Sequence, residues 1–330
     1  MSDAPAPGQM PEDIDLHRLS HFPITFFAIV MGLMGLALAL HAAHEVLPWA
    51  EPVAQVVLYF GALVFAAIAL VYIVKILRHG GAVRAEWNHP VRLAFFPAVS
   101  ISMLLTATAC YGADPQLSHL LWVLGTIAQG VLTIAVVSGW ISHRSFEVGH
   151  LTPAWFIPAV GNIIVPVVGV RLGHPEISWL FFSGGLVFWI VLLTLVVNRL
   201  VFHNPIPARL FPTLVILIAP PAVGFVSYYQ LVGQLDPFGH ILLNITYVFA
   251  ALVLVQVPKL LRLPFALSWW ALSFPVAALT IASFLYARLA GSAPHEAIGQ
   301  IGLVVLAVII VGLLGRTALA ISRREICQPE

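Results

Sequence analysis

Charged side chains are scarce in this chain, and that scarcity is the most informative feature of its composition. Only 9% of the 330 residues are Asp, Glu, Lys or Arg, and 60% are hydrophobic, whereas a soluble domain has about 25% charged residues. Cysteine is nearly absent too, and the two present, Cys110 and Cys327, imply neither a disulfide framework nor a metal knuckle. The net charge is +1 and no basic run exceeds Arg323-Arg324, which argues against nucleic acid as a partner.

Ten stretches of the chain contain no charged residue at all, and each is about long enough to cross a hydrocarbon core of roughly 30 Å as a helix. None shows the polar and apolar alternation of barrel strands. The sequence therefore predicts an all-α membrane protein with ten transmembrane helices. They lie inside a transmembrane domain at 22–321, flanked by an N-terminal segment (1–21) and a C-terminal tail (322–330). The predicted spans are 22–40, 53–74, 93–111, 119–141, 153–170, 177–198, 210–231, 239–257, 265–287 and 298–315.

Basic residues fall almost entirely on one side of the predicted membrane. If the N-terminus is cytoplasmic, only Arg171 and Arg288 of the 15 basic residues lie outside. Cytoplasmic loops of membrane proteins carry an excess of Lys and Arg. We therefore expect both termini in the cytoplasm, on the same side as Arg18, Lys75, Arg78, Arg84, Arg92, Arg144, Arg199, Arg209, Lys259, Arg262, Arg316, Arg323 and Arg324.

Proline marks every odd-numbered span and none of the even ones. Successive prolines lie 55–74 residues apart, about one helical hairpin each time: Pro23, Pro97, Pro158, Pro220 and Pro275. Proline opens a helix and frees a carbonyl, which must face protein or a water-filled lumen rather than lipid. The repeat predicts five tandem hairpins around a central pore, with kinked odd helices inside and straight even helices outside. The alternative is that prolines, common in membrane helices, mark no pore.

Groups that would support chemistry inside the membrane are missing from the ten stretches. They contain no carboxylate, and all 13 histidines lie in loops or near span ends, which counts against proton coupling and against a haem held by two buried histidines. We find no nucleophile elbow, phosphate loop or dinucleotide fingerprint, so the sequence predicts neither an enzyme nor a cofactor.

His41, His44 and Glu45 have the spacing of metal ligands, but no second half of a site is evident, and we expect interfacial polar residues without a metal.

Five short motifs resemble, in order and spacing, the tellurite-resistance/dicarboxylate-transporter family, which includes bacterial TehA and the plant slow anion channels. Glu86-Trp-Asn-His-Pro-Val-Arg92 is similar to the family's acidic-aromatic-x-x-Pro-Val-Arg pattern before helix 3. The others are Gly125-Thr-Ile-Ala-Gln129, Pro-Ala-Val at 158–160, Leu217-Ile-Ala-Pro220 and Trp270-Ala-Leu-Ser-Phe274. The resemblance covers nearly all ten predicted spans.

The resemblance implies a homotrimer in the bacterial inner membrane, in contact with lipid, in which each subunit has its own pore lined by the odd helices. It also implies a phenylalanine plug in helix 9, which corresponds to Phe274, although Pro275 follows where a relative has glycine. The function we expect is passive, gated conduction of small inorganic anions such as chloride and nitrate. The alternative is a secondary transporter or exporter of dicarboxylate, sulfite or tellurite-related oxyanions.

A pore without fixed cations favours weakly hydrated anions, because these lose least when they shed water. Arg171 and Arg288 follow odd helices at their outer ends and are expected to form an anion-attracting vestibule, although a cation at a helix C-terminus is favourable in any case. The polar, small and proline positions of the odd helices are also open to a second interpretation, since such residues pack helices together. The candidate lining residues are Thr25, Gly32, Phe96, Pro97, Ser100, Pro158, Gly161, Asn162, Pro220, Gly224, Pro275 and Thr280.

Overall fold

A computed structural model of the protein describes residues 18–142 and 146–327, and all regular secondary structure in those ranges is helical. Most of the expected N-terminal segment, Arg144, and the last three residues of the expected C-terminal tail lie outside the described residues. The prediction of an all-α membrane protein is confirmed.

Ten apolar helical segments follow one another along the chain, and we number them α1 to α10. Nine of them, among the described residues, are long and apolar enough to cross a membrane. The exception is α5, which has 17 residues, so the count of ten crossings stays a prediction. A short connecting helix, Gly80–Trp87, lies between α2 and α3. The segments are α1 Ile24–Ala43, α2 Ala50–Arg78, α3 Arg92–Cys110, α4 Pro115–Ser142, α5 Pro153–Gly169, α6 Pro175–Phe202, α7 Ala208–Val232, α8 Pro237–Leu260, α9 Leu267–Ala290 and α10 Ala293–Ser322.

The odd-numbered segments form an inner ring and the even-numbered helices surround it. Each odd segment contacts the next, and α9 returns to contact α1, which closes the ring. Each even helix packs between two odd segments; α2, for example, contacts α1 and α3. Burial follows the same division, since 78% of the most apolar stretch of α1 is buried but only 22% of that of α2. The even helices therefore present apolar side chains to the surroundings.

Every odd segment contains 3₁₀ turns at its N-terminal end, and its proline stands near the change to α-helix. In α7 the first eleven residues, Ala208–Ile218, are 3₁₀, and Pro220 lies in the first turn of the α-helix that follows. Pro97 immediately precedes the α-helical part of α3, and Pro275 lies in the first turn of that of α9. Proline is tolerated there because the first N–H groups of a helix have no intrahelical partner. The expected kinks thus take the form of a change in helix type.

The carbonyl groups of two of the five prolines, Pro97 and Pro158, accept hydrogen bonds from neighbouring side chains. Ser100 Oγ donates to the Pro97 carbonyl at 2.8 Å. The Pro158 carbonyl accepts from Thr133 Oγ1 at 2.7 Å and from Gln129 Nε2 at 3.1 Å, both on α4. Since an unbonded carbonyl is costly in lipid, these polar side chains allow the inner ring to be irregular at membrane depth.

Candidate functional site

Two cavities lie inside the ring of odd segments. The larger, which we call the wide cavity, has a volume of about 460 Å³ and lies among the C-terminal halves of the odd segments. The smaller, the narrow cavity, has a volume of about 80 Å³ and lies nearer their N-terminal ends. Residues from all five odd segments line each cavity. Among the described residues, the even helices contribute only Glu296 of α10, and that to the wide cavity.

Three apolar side chains line both cavities and therefore lie between them: Ile164 of α5, Val223 of α7 and Phe274 of α9. We call this group the apolar constriction. Phe274 is the largest of the three and is 9% exposed. The family resemblance indicated Phe274 but not Ile164 or Val223, because nothing in the sequence distinguishes these two from the many apolar residues around them.

Gly35 of α1 brings that helix close to α9 behind the Phe274 ring. A Cβ atom at Gly35 would lie 2.8 Å from the Cβ of Ala277, well inside normal contact distance, and 3.6 Å from Cδ2 of Phe274. Only glycine permits this approach. The α1 backbone therefore packs against one side of the Phe274 ring. Other parts of the same ring line the two cavities.

No ionisable side chain of residues 18–142 or 146–327 lines the narrow cavity, and Thr25 and Ser268 supply its hydroxyl groups. Five of the residues singled out from the sequence line it: Thr25, Gly161, Pro220, Phe274 and Pro275. An ion in this cavity would meet two hydroxyls, aromatic rings and backbone. The site therefore offers a hydrated ion little compensation for lost water.

The remaining candidate lining residues lie outside both cavities. Ser100 Oγ lies 2.7 Å from Gln129 Oε1 on α4. A Cβ at Gly32 would lie 2.5 Å from Ser273 Oγ on α9, so Gly32 faces that helix. Contacts of this kind hold helices together, which is the alternative that the sequence left open. The residues concerned are Gly32, Phe96, Pro97, Ser100, Pro158, Asn162, Gly224 and Thr280.

Arg171 and Arg288 both line the wide cavity, but two carboxylates accompany them. Arg288 Nη1 lies 3.1 Å from Glu45 Oε1, and Glu296 lines the same cavity. The Arg171 guanidinium lies over the Tyr111 ring, 5.0 Å from its centroid. With neutral histidines, the two guanidinium groups are balanced by the two carboxylates. The expected vestibule is therefore less positive than the arginines alone suggested.

A buried ion pair fixes the start of α1, beside Thr25. Glu86 is 3% exposed and Lys75 is 2% exposed, and Lys75 Nζ lies 2.7 Å from Glu86 Oε2. Glu86 also accepts hydrogen bonds from the Ile24 backbone N–H at 2.7 Å and from the Tyr72 hydroxyl at 3.0 Å. In the sequence, Glu86 lies between the predicted spans 53–74 and 93–111, where a solvent-exposed residue is the ordinary expectation. The only feature of the sequence that drew attention to Glu86 was its place as the first residue of the family motif Glu86–Arg92, which precedes α3.

The fold and the cavities define a multi-pass membrane protein with two internal cavities between packed helices. The model of a family described as "Voltage-dependent anion channel" matches residues 21–318. The chain therefore belongs to this family, whose members are channels and transporters. Membership supports a role in anion transport.

Curated proteins of this family resemble the chain over most of its length. An uncharacterized transporter of Methanocaldococcus jannaschii is 26% identical over 298 residues, which cover 83% of this chain and 87% of the relative. The S-type anion channel SLAH3 of Arabidopsis thaliana is 25% identical over 93% of this chain and 50% of its own length. The tellurite resistance protein TehA homolog of Haemophilus influenzae is 26% identical over 78% of this chain and 79% of the relative.

Proposed function

We propose that this protein is a gated, passive channel for small monovalent anions, such as chloride and nitrate, in a bacterial inner membrane. The observation that carries the proposal is the position of two cavities inside one ring of helices, with the apolar constriction lining both of them. A constriction made of side chains can open when those side chains move, and this requires no chemical coupling. The names of the S-type anion channel relatives support the same function.

Phe274 is proposed as the gate. Its ring is the bulkiest part of the apolar constriction, and a constriction lined by apolar groups blocks ions both by bulk and by dewetting. Holding a side chain away from its preferred rotamer costs on the order of 0.5–1.5 kcal/mol. The torsional part of the cost of moving the ring is therefore small. On this proposal Thr25, Gly161, Pro220 and Pro275 line the inner part of the open pore.

Ion preference follows from the lining of the narrow cavity. With no fixed positive charge there, an anion gains little in exchange for its hydration shell, so strongly hydrated divalent anions are excluded. Nitrate, bromide and iodide are expected to permeate at least as well as chloride. Arg171 and Arg288 are proposed to attract anions to the wide cavity. Glu45 and Glu296 line the same cavity and weaken this attraction.

The proposed assembly is a homotrimer with one pore in each subunit and both termini in the cytoplasm. The trimer rests on the family resemblance. The exposed apolar side chains of the even helices, such as Val56 and Leu63 of α2, both 68% exposed, suit burial against lipid or a neighbouring subunit. The orientation rests on the distribution of basic residues.

A secondary transporter or exporter of dicarboxylate, sulfite or tellurite-related oxyanions is the second candidate. Relatives described as a transporter and as a tellurite resistance protein favour it.

Current recordings from the purified protein in planar bilayers test the two candidates. A channel gives currents that reverse near the Nernst potential of the anion and increase when nitrate replaces chloride. A proton-coupled transporter gives a reversal potential that moves with pH. Permeability to sulfate or malate well above that to chloride would contradict the channel proposal.

A further inference from the structure

Two histidines and a glutamate lie together at the end of α1, on the rim of the wide cavity. His41 and His44 are three residues apart, so their side chains lie on one face, with ring centroids 5.1 Å apart. Glu51, from the first turn of α2, lies beside them. One nitrogen of each ring and one oxygen of Glu51 all lie within 4.8 Å of one another. Glu51 thus supplies the third potential ligand, which the spacing of His41 and His44 in the sequence did not indicate.

Hydrogen bonds already orient both rings. His44 Nδ1 lies 2.6 Å from the His41 carbonyl oxygen. A carbonyl only accepts hydrogen bonds, so in the neutral ring Nδ1 carries the proton and the lone pair is on Nε2. Histidines that bind metals typically donate their other N–H group to a backbone carbonyl or a carboxylate in this way. His41 Nδ1 lies 2.8 Å from Glu51 Oε2, which fixes the second ring.

We propose that His41, His44 and Glu51 bind a divalent transition-metal ion, of which Zn²⁺ and Ni²⁺ are the best probes. Two imidazoles and one carboxylate form a known ligand set for Zn²⁺, at about 2.0–2.2 Å from the metal, with a fourth position open to water or an anion. Ca²⁺ and Mg²⁺ prefer oxygen ligands and fit this set poorly.

The bound ion would lie on the rim of the wide cavity, since His41 and His44 both line it. Glu45 is the nearest further carboxylate in sequence, and its partner is Arg288 rather than the histidines. The ion therefore adds positive charge to a rim on which guanidinium and carboxylate groups are balanced. An effect of this ion on anion current rests on the proposed channel function, whereas its binding does not.

Calorimetric titration of the purified full-length protein with ZnCl₂ and NiCl₂, after removal of metals with a chelator, tests the proposal. We expect one ion bound per chain, with affinity reduced roughly tenfold or more in Glu51→Gln and His44→Ala. His119→Ala is the matched control, because His119 and His174 form another close histidine pair, with their Nε2 atoms 2.9 Å apart. It should bind like the unmodified protein.

Absence of binding to the unmodified protein would overturn the proposal. So would binding that survives Glu51→Gln and His44→Ala but is lost in His119→Ala, since the metal would then occupy the other pair. If His44→Ala fails to fold, the result of Glu51→Gln alone tests the proposal. That variant is expected to fold because the Glu51 side chain is 36% exposed and glutamine has nearly the same shape. The titration measures binding without any current, so its result is independent of whether the protein conducts.

Discussion

Arg288 Nη1 lies 3.1 Å from Glu45 Oε1, and this ion pair joins the end of α9 to the end of α1 at the wide cavity. The two side chains are 54% and 49% exposed. A pair so exposed contributes only about 0–1 kcal/mol to stability. Its larger consequence is electrostatic, because Glu45 offsets the charge of one of the two arginines that line the cavity.

Replacing Glu45 with glutamine is expected to increase anion current at low ionic strength. Removing the carboxylate changes the energy of a nearby anion by roughly 0.5–1 kcal/mol, which corresponds to about a two- to fivefold rise in local anion concentration. Arg288→Gln should have the opposite effect. Bilayer conductance at low and high salt checks both, and the effects should nearly vanish at about 1 M salt, where the Debye length is about 3 Å. Equal effects at both salt concentrations would point to a change in structure instead.

Breaking the buried ion pair near the start of α1 is expected to destabilise the protein strongly. Lys75→Met leaves the Glu86 carboxylate buried without its cation, which typically costs about 3–5 kcal/mol. The melting temperature in detergent should fall accordingly. The double variant Lys75→Met with Glu86→Leu should recover part of the loss, because no uncompensated charge remains.

Arg288→Gln serves as the control for this measurement, since it breaks an exposed ion pair in the same protein. Its melting temperature should change little. A Lys75→Met protein as stable as the unmodified one would show that the buried pair does not hold α1 in place.

The division into inner and outer helices was predictable because proline recurs with the period of a helical hairpin. The five prolines mark the irregular segments, and those segments form the inner ring. Which face of each segment meets the cavities was not predictable. The inner segments are apolar on all sides, so no polar stripe distinguishes a lining residue from a packing one. Thr25 and Thr280 looked alike in sequence, yet Thr25 lines the narrow cavity and Thr280 faces Gly302 of α10.

Contacts between residues far apart in sequence account for what was missed. Glu86 bonds to the Ile24 backbone across 62 residues, and no local pattern reports that contact. Lys75 and Glu86 flank charge-free stretches, where solvent-exposed charges are the ordinary expectation. In the same way Glu51, at the start of α2, gave no sign that it would meet His41. Family motifs indicated that the region around Glu86 matters, but not what the carboxylate does.

Native Cys327 can report the side of the membrane on which the C-terminus lies. A membrane-impermeant maleimide should label it only after cells are permeabilised, because the basic residues place this end in the cytoplasm. Cys110 is buried and should react little, and Cys327→Ser is the control for specific labelling. Burial raises the pKa of the Cys327 thiol, so the thiolate is scarcer at neutral pH and labelling should accelerate at alkaline pH. Labelling of intact cells would contradict an even number of crossings with both termini inside.

Truncating Phe274 distinguishes a gate from a core residue, because the two roles predict opposite effects on current. Phe274→Ala removes the largest part of the apolar constriction, so basal anion current should rise if the ring closes the pathway. Phe274→Leu should be intermediate, since leucine fills less of the space than phenylalanine. Single-channel or macroscopic currents in planar bilayers, compared at equal amounts of folded protein, provide the measurement.

Phe225 of α7 is the matched control, because it is 1% exposed and lines neither cavity. Phe225→Ala should lower stability by about 3–5 kcal/mol, as loss of a buried aromatic side chain usually does, without opening the pathway. If the ring of Phe274 is only core, Phe274→Ala should behave like Phe225→Ala, with lower stability and no rise in current. A well-folded Phe274→Ala protein whose current stays at or below that of the unmodified chain would rule out Phe274 as the gate. The pathway would then have to be closed at a place other than the apolar constriction.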